Sequence, residues 1–551
     1  MDNLLTYSTT HLLNNFPNNY QGFPFLFYLY AMAHDYDYII IGSGFGGSVS
    51  ALRLAEKGYK ILVIEKGKRF ECKDFAKTNW NLRKWLWLPQ LGFYGIQKLS
   101  FLRHASILSG VGVGGGSLVY ANTLPKPKTA FYNTGSWAKL ADWETELSPH
   151  YDKAWEMLGA TENPKLEESD LALKELAIKM GKEKHFEPTK VSVFFGEPEK
   201  TVPDPFFNGK GPERTGCTFC GACMTGCRHN AKNSLDKNYL YLAEKLGVEV
   251  VAEHEVKDVF PLDAVDGKNG YQVTYKSTTQ YFAKSKILTT QSVIFAGGVL
   301  GTIPLLLKIK KKSLPKLSPR VGEMIRTNNE ALIMDVTMDK DRNLSKGIAI
   351  GSILELDENS HLEPVRYGEG SGLWRLGITP MILETNFFKR IGKMFIEPFK
   401  APLKWLKIYF VDDFAKRSTT LLFMQHLDST LELKSHWLFG YKSRISSGKA
   451  PTPFIPEAHK VAHQFGEVIN GKPVVLFTET ILGTPSTAHI LGGACIGKDA
   501  EDGVIDSKHS VFGYENMYVF DGSAISANPG VNPSLSITAM TERGMSFIAK
   551  K

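Results

Sequence analysis

The stretch from Asp37 to Gly67 reads DYIIIGSGFGGSVSALRLAEKGYKILVIEKG, and the order of its residue types decides the fold. Tyr38 to Ile41 is a short apolar run rich in β-branched residues, suited to a strand covered on both faces. Gly42, Gly44 and Gly47 then form G-x-G-x-x-G, with Gly46 in the same turn, and a helical pattern continues through Lys57. Gly58 suits a helix C-cap. A second apolar strand, Lys60 to Ile64, ends at the acid Glu65, 23 residues after Gly42. Gly42 makes the tight turn, Gly44 lets the backbone approach a pyrophosphate, and Gly47 allows close helix–strand packing. The helix N-terminus faces the negative charge, and Glu65 accepts from ribose hydroxyls. The rival reading is a glycine-rich turn in an ordinary α/β unit. The complete order of strand, turn, helix, strand and acid favours an adenine dinucleotide, without separating FAD from NAD.

A second glycine cluster separates them. Ser109 to Asn122 reads SGVGVGGGSLVYAN, with Gly110, Gly112, Gly114, Gly115 and Gly116 in seven positions. Such density suits backbone that passes close to something flat and rigid. A flexible hinge would be more polar than this Val- and Leu-bearing loop, so a flavin covered by backbone is the better account.

The rest of the composition bounds the class. The chain has 551 residues, 43% of them apolar, with 65 basic against 57 acidic residues and a net charge of +8. That length supports two to four structural units and a large core, and the apolar fraction with the low charge bias excludes a disordered chain. No apolar run approaches the roughly 20 residues that span a bilayer. The basic excess carries no block of five or six like charges. It argues against nucleic acid as partner and leaves an anionic surface or a merely basic protein as readings. Four of six cysteines fall between Cys217 and Cys227, while Cys72 and Cys495 stand alone. This is no distributed disulfide framework, and a reducing, cytoplasmic setting fits better.

Further motifs carry a family resemblance. They are CRHNAKNSLDKNYL after the cysteines, VIFAGGVLGT at Val293 to Thr302, RTNNEAL at Arg326 to Leu332, HILGGACIG at His489 to Gly497, and YVFDGSAISANPGVNPSLSITAMTER at Tyr518 to Arg543. With the two glycine segments, they resemble the glucose–methanol–choline (GMC) flavoprotein oxidoreductases, and within them the cholesterol-oxidase-like branch. The resemblance runs from Tyr36 to about Ile548. It implies FAD without covalent attachment and oxidation of an alcohol by hydride transfer to flavin N5. The implied fold is α/β, a Rossmann-like FAD-binding domain interleaved with a substrate domain that contains a large mixed or antiparallel sheet. The motif positions place the FAD domain at 34–160, 217–315 and 475–551, and the substrate domain at 161–216 and 316–474.

Alcohol oxidation needs a group that takes the hydroxyl proton and another that holds the oxygen. By resemblance these are His489 of the HxLGG motif and Asn532 of the GVNP motif. The resemblance also sets Gly46, Gly114, Gly115, Ser117 and Asn122 around the cofactor, Val256 at adenine, Asp521 and Gly522 near the ribityl and phosphates, and Asn532 with Pro533 at the pyrimidine. A helix starting after Pro533 would point its N-terminus at an anionic flavin. One departure stands out. Cholesterol oxidases of this type place a glutamate over the substrate, ahead of an apolar strand, for double-bond isomerisation. The matching strand, Thr420 to Gln425, is preceded by DDFAKRST, with no glutamate there. Coupled isomerisation is therefore in doubt.

Three stretches admit more than one reading. Cys217, Cys220, Cys223 and Cys227 give C-x2-C-x2-C-x3-C, the spacing of an iron–sulfur cluster site, although no proline follows the fourth cysteine. Zinc, or thiols in a packing role, are the alternatives. Thr78 to Leu102 interleaves Trp80, Trp85 and Trp87 with Arg83, Lys84 and Lys98. It suits either a membrane headgroup boundary or a cover for the core. Residues 1–33, apolar from Phe23 to Met32, read as a flexible extension or a start-site artefact. The leading function is oxidation of a lipophilic, sterol-like alcohol, with oxygen or a redox partner as acceptor and peripheral membrane contact. The alternative is a dehydrogenase of a polar alcohol or sugar that drains electrons through an iron–sulfur cluster.

Overall fold

In the computed structural model, which describes residues 34–551 apart from Ala264, Tyr281, Asp428 and 437–439, the opening unit forms as its pattern predicts. The expected extension 1–33 lies outside the described residues. Strand Tyr36–Ile41 pairs in parallel with Ile61–Ile64 on one side and with Lys286–Phe295 on the other. Glu249–Val251 extends the sheet beyond Ile61–Ile64. Past Lys286–Phe295 come the antiparallel strands Tyr271–Ser277 and His254–Pro261. The far half of Lys286–Phe295 instead takes Met517–Val519 as a parallel neighbour. Residues 38–41, 61–64 and 293–295 are buried throughout, as expected for strands covered on both faces.

Helix Phe45–Ala55 follows the glycine turn and packs on helices Tyr239–Lys245 and Ser534–Ser546. Arg53 fastens it there with a two-pronged ion pair to Glu542, Nε at 2.8 Å and Nη2 at 2.7 Å. The Tyr239 hydroxyl donates to the same carboxylate at 2.6 Å. This polar knot joins the start of the chain to its final helix.

A second seven-stranded sheet is antiparallel throughout. Its order is Ile378–Pro380, Gly471–Leu476, Ala331–Thr337, Ser418–Gln425, Ser360–Val365, Ser352–Glu355 and Phe186–Pro188. Strand side chains alternate between faces, and here each face has its own task. Ala331, Ile333, Leu421, Phe423 and Leu362 pack under helices Glu168–Lys179 and Pro456–Val468. Leu332, Met334, Thr420, Leu422 and Val365 point the other way and roof a cavity. The chain is thus a mixed α/β protein with a Rossmann-like unit and a large antiparallel sheet. No helix among the described residues is long and apolar enough to cross a membrane.

Candidate active site

The cavity has a volume of about 640 Å³ and reaches from the glycine turn to the second sheet. Gly42, Gly44, Gly46 and Glu65 form one end of its wall. Helix Phe45–Ala55 starts here without a side-chain cap or a first-turn acid, so its first N–H groups are free to face an anion. A methyl group on Gly46 would lie 1.6 Å from the carbonyl oxygen of Phe520; only glycine lets the turn reach the end of strand Met517–Val519. Gly47 does not line the cavity but packs against the Gly42 carbonyl. Glu65 accepts from Ser43 N–H at 3.1 Å, from the Ser43 hydroxyl at 2.8 Å and from Gly67 N–H at 2.9 Å.

The second glycine loop lies against this turn. Gly115 has φ of +54°, and a Cβ there would sit 2.5 Å from Gly44 Cα. Gly115 and Gly116 line the cavity; Gly114 and Ser117 stand behind them. The Ser117 hydroxyl donates to Gly114 O at 2.7 Å and accepts from Leu235 N–H at 3.0 Å, which locks the loop's shape. Asn122 is fully buried between the cavity-lining Ala121 and Thr123, and neither polar atom of its side chain has a protein partner. Val256, Asp521, Gly522, Asn532 and Pro533 complete the wall. Asp521 accepts from Gly298 N–H at 2.8 Å and Ser523 N–H at 2.7 Å, and burial raises its carboxyl above the ordinary range despite these bonds. A long cavity walled by glycine backbone and an uncapped helix start fit FAD, the cofactor that the sequence resemblance implies.

At the far end the cavity meets His489 and Asn532, and here the structure supplies residues that the sequence did not point to. His489 Nδ1 lies 2.8 Å from Glu330 Oε1. Glu330 is buried and also accepts from the Thr487 hydroxyl at 2.8 Å and Ala488 N–H at 3.2 Å. A carboxylate only accepts, so in the neutral imidazole Nδ1 carries the proton and Nε2 keeps its lone pair. Segment 326–330 makes this possible. Arg326 and Leu491 exchange backbone hydrogen bonds, and Asn328 Nδ2 donates to Val531 O at 2.7 Å. One short stretch therefore places both the His489 segment and the Asn532 loop.

Asn532 Nδ2 donates to Glu363 Oε2 at 3.3 Å, and its Oδ1 is buried without a protein partner. Glu363 comes from strand Ser360–Val365, where it shares a face with His361 and with the cavity-lining Val365. That strand pairs with Ser418–Gln425, Glu363 opposite Leu422. A glutamate is thus brought to the site from the strand beside the one ahead of which it was sought. Burial pushes its carboxyl up to about 8 and holds neighbouring His361 down to about 3. The fold keeps a proton that an unfolded chain releases near 4.5, so this group's contribution to stability falls as pH rises from about 4.5 to about 8. Glu363→Gln is expected to flatten that part of the melting-temperature profile; an unchanged slope would contradict the assignment.

The structure bears on two of the stretches that admit more than one reading. Cys217, Cys220, Cys223 and Cys227 are all free thiols, and among the described residues no three His, Cys, Asp or Glu side chains are grouped so as to hold a metal. The loop is organised around a lysine instead. The buried Lys232 ammonium donates to the carbonyls of Leu118, Tyr120 and Cys223 at 2.8–3.0 Å, tying the cysteine loop to the glycine loop. All four cysteines line one small hollow, where Cys217 packs with Val191, Val193 and Ala231 and where Cys223 and Cys227 lean on the same cluster; Cys227 also borders a neighbouring hollow that Cys72 lines. Burial raises the Cys217 thiol and pushes Cys223 up to about 11. The segment Thr78 to Leu102 divides: Trp80, Leu91 and Phe101 are exposed, whereas its other two tryptophans cover the core. Trp85 and Trp87 are buried, Trp85 lies edge-on to the cavity-lining Trp374 at 5.7 Å, and Gln97 with Lys98 line the cavity. Burial and the nearby Lys66 hold Lys98 down to about 8.

Comparison with known proteins bears on the same residues. Family models described as GMC oxidoreductase match residues 208–323 and 460–541, and one described as an NAD(P)-binding Rossmann-like domain matches 40–80. The chain is 43% identical over 528 residues to a cholesterol oxidase of Acinetobacter baumannii, covering 94% of this chain and 95% of that protein. It is also 43% identical over 543 residues to a cholesterol oxidase of Mycobacterium tuberculosis, covering 94% and 92%. Among solved structures, pyridoxine 4-oxidase from Mesorbium loti superposes with a TM-score of 0.59 at 12% identity, over 93% of this chain and 98% of that one. That likeness speaks for the fold alone.

Proposed function

The chain belongs to the GMC oxidoreductase family, FAD-dependent enzymes that act on CH–OH donors, and from that premise we propose that it oxidises the hydroxyl of a lipophilic, sterol-like alcohol to a ketone, with molecular oxygen as final acceptor. The observation that carries the reading is the shape of the cavity: His489 and Asn532 at one end beneath a roof of Leu332, Met334, Leu422 and Val365. Bound FAD would supply the hydride acceptor. Gly42, Gly44, Gly46, Glu65, Val256, Asp521 and Pro533 would hold it, with Gly115 against it and Gly47, Gly114, Ser117 and Asn122 shaping the backbone behind.

The chain's own residues handle the proton and the oxygen. His489 Nε2, left with a lone pair by the Glu330 contact, accepts the hydroxyl proton as the carbon gives up its hydride. Asn532 keeps one N–H and an unpaired Oδ1, so it can hold the hydroxyl as donor or acceptor without titrating. Glu363 positions that amide, and Glu330 fixes the imidazole tautomer. The roof excludes water and favours a ring system over a sugar. Among the described residues the four cysteines share a hollow but are not grouped as metal ligands, so a cluster-draining dehydrogenase of polar alcohols is the weaker reading.

Two experiments follow. Incubation in air with cholesterol and, separately, with glucose should give a sterol product two hydrogens lighter plus hydrogen peroxide. Faster turnover of glucose would overturn the substrate class. Glu330→Gln should slow oxidation by about 10²-fold, the low end of a general base's contribution, and shift the pH profile, because an amide does not enforce one tautomer. A wild-type profile would remove Glu330 from the account.

A further inference from the structure

Helices Phe387–Lys400 and Pro402–Tyr409 are amphipathic the wrong way round for a protein surface. Their exposed stripe is apolar: Phe388 is 82% exposed, Phe395 63%, Phe399 81%, Leu403 74% and Phe410 79%. The steps of seven and four keep Phe388, Phe395 and Phe399 on one face of the first helix, while Leu403 and Phe410 are exposed at the start and just past the end of the second. The inward side holds a charge. Arg390 is buried, and its guanidinium donates to the carbonyls of Thr480, Glu384 and Thr385 at 2.5–3.0 Å. Lys389, Lys393 and Lys400 lie along one flank of the first helix, Lys404 and Lys407 on the second; Lys393 pairs with Glu384 at 2.8 Å and Lys400 with Glu397 at 2.7 Å, which leaves Lys389, Lys404 and Lys407 in excess.

We propose that this helix pair is the surface by which the protein docks on an anionic phospholipid bilayer. Apolar rings that reach water, bordered by lysines in excess over acids, match a layer of acyl chains under negative headgroups. A protein partner would face the same stripe with an apolar groove, but it would not call for so one-sided a charge. The position is also apt. Trp405 and Ile408, on the inward side of the second helix, share an apolar cluster with Met334, Trp374 and Leu476, and these three residues line the cavity. The docked face is therefore one side-chain layer from the place where a lipophilic alcohol would be oxidised. The proposal takes its purpose from the substrate reading; its test does not depend on it.

The test uses the FAD-loaded full chain and sterol-free vesicles, either phosphatidylcholine alone or with about 30% phosphatidylserine. Sedimentation is followed by flavin absorbance. The protein should pellet with the anionic vesicles, much less with the neutral ones, and salt should release it. Phe388→Ser/Phe395→Ser/Phe399→Ser should lower partitioning by about a hundredfold or more, since each ring loses its burial in lipid. Lys389→Glu/Lys404→Glu, which leaves the rings in place, should lower it by about tenfold or more on anionic vesicles only. Failure of the parent protein to bind, or equal binding by the ring variant, would overturn the proposal. So would a dimer in solution that the ring variant dissociates without any vesicle binding, because a second copy would then own the surface. Vesicle binding by a protein that leaves cholesterol untouched would keep the docking surface and sink the substrate reading instead.

Discussion

His489→Ala is expected to lower the rate at which an alcohol bleaches the bound flavin by about 10²–10⁴-fold, the range a positioned general base contributes, while FAD content stays normal. The expectation rests on the local wiring. Nδ1 is committed to Glu330, the backbone N–H of His489 bonds to the Thr487 hydroxyl at 3.0 Å, and that hydroxyl bonds to Glu330 in turn. The ring is therefore held by a buried carboxylate and can do little except present Nε2 to the cavity. Removing the ring leaves the glycine turn and Glu65 intact, so the cofactor should stay. His489→Gln should be impaired almost as much, because an amide cannot take the proton. Stopped-flow absorbance with saturating alcohol checks both variants; a variant within threefold or so of the parent rate would displace His489 from proton transfer.

Gly46→Ala should act on the opposite end of the site and abolish the holoenzyme. The added methyl would fall 1.6 Å from Phe520 O and 2.5 Å from Phe520 C, both backbone atoms. Neither can rotate away. Phe520 N–H is itself bonded to Phe295 O at 2.9 Å in the central sheet. Relief would require strand Met517–Val519 to shift, and Asp521 with it, away from Thr302 and Gly298. Overpacking of this kind costs about 1–3 kcal/mol or more, and it falls on the turn that faces the cofactor. The variant should purify nearly without FAD and melt at a lower temperature. Full flavin content would mean that the turn does not approach Phe520 as closely as described.

The parts of the site that were legible in the sequence are those made by neighbours in the chain. The turn from Gly42 to Gly47 and the acid Glu65 could be read because one strand, one turn and one helix contain all their geometry. Glu330 and Glu363 escaped because their partners are 159 and 169 residues away. They reach the site through a backbone exchange at Arg326 and an antiparallel register, and neither leaves a local trace. RTNNEAL carried a hint, an acid just ahead of an apolar strand. SHLEPV carried another, His361 and Glu363 alternating with apolar residues. The cysteine run misled for the converse reason. Spacing of four thiols is local and does bring them round one hollow, but what fills the centre of the loop depends on the buried Lys232 and on the carbonyls it reaches.

Surface and core posed a related problem. Thr78 to Leu102 admits either a headgroup boundary or a cover for the core, and packing divides it: Trp85 and Trp87 are buried beside the cavity wall, whereas Trp80 is exposed. The stripe from Phe388 to Phe410 drew no attention, because an apolar period near 3.6 says only that a helix has two unlike faces. Which face turns inward is settled by packing: Arg390 is anchored on Thr480, and Trp405 and Ile408 on the strands below.

The most direct test of the central claim is an anaerobic absorbance titration of the purified FAD-loaded protein with cholesterol. The account predicts loss of the flavin bands in proportion to added sterol, with the corresponding ketone recovered afterwards. Flavin bands unchanged by cholesterol but bleached by a sugar would contradict it.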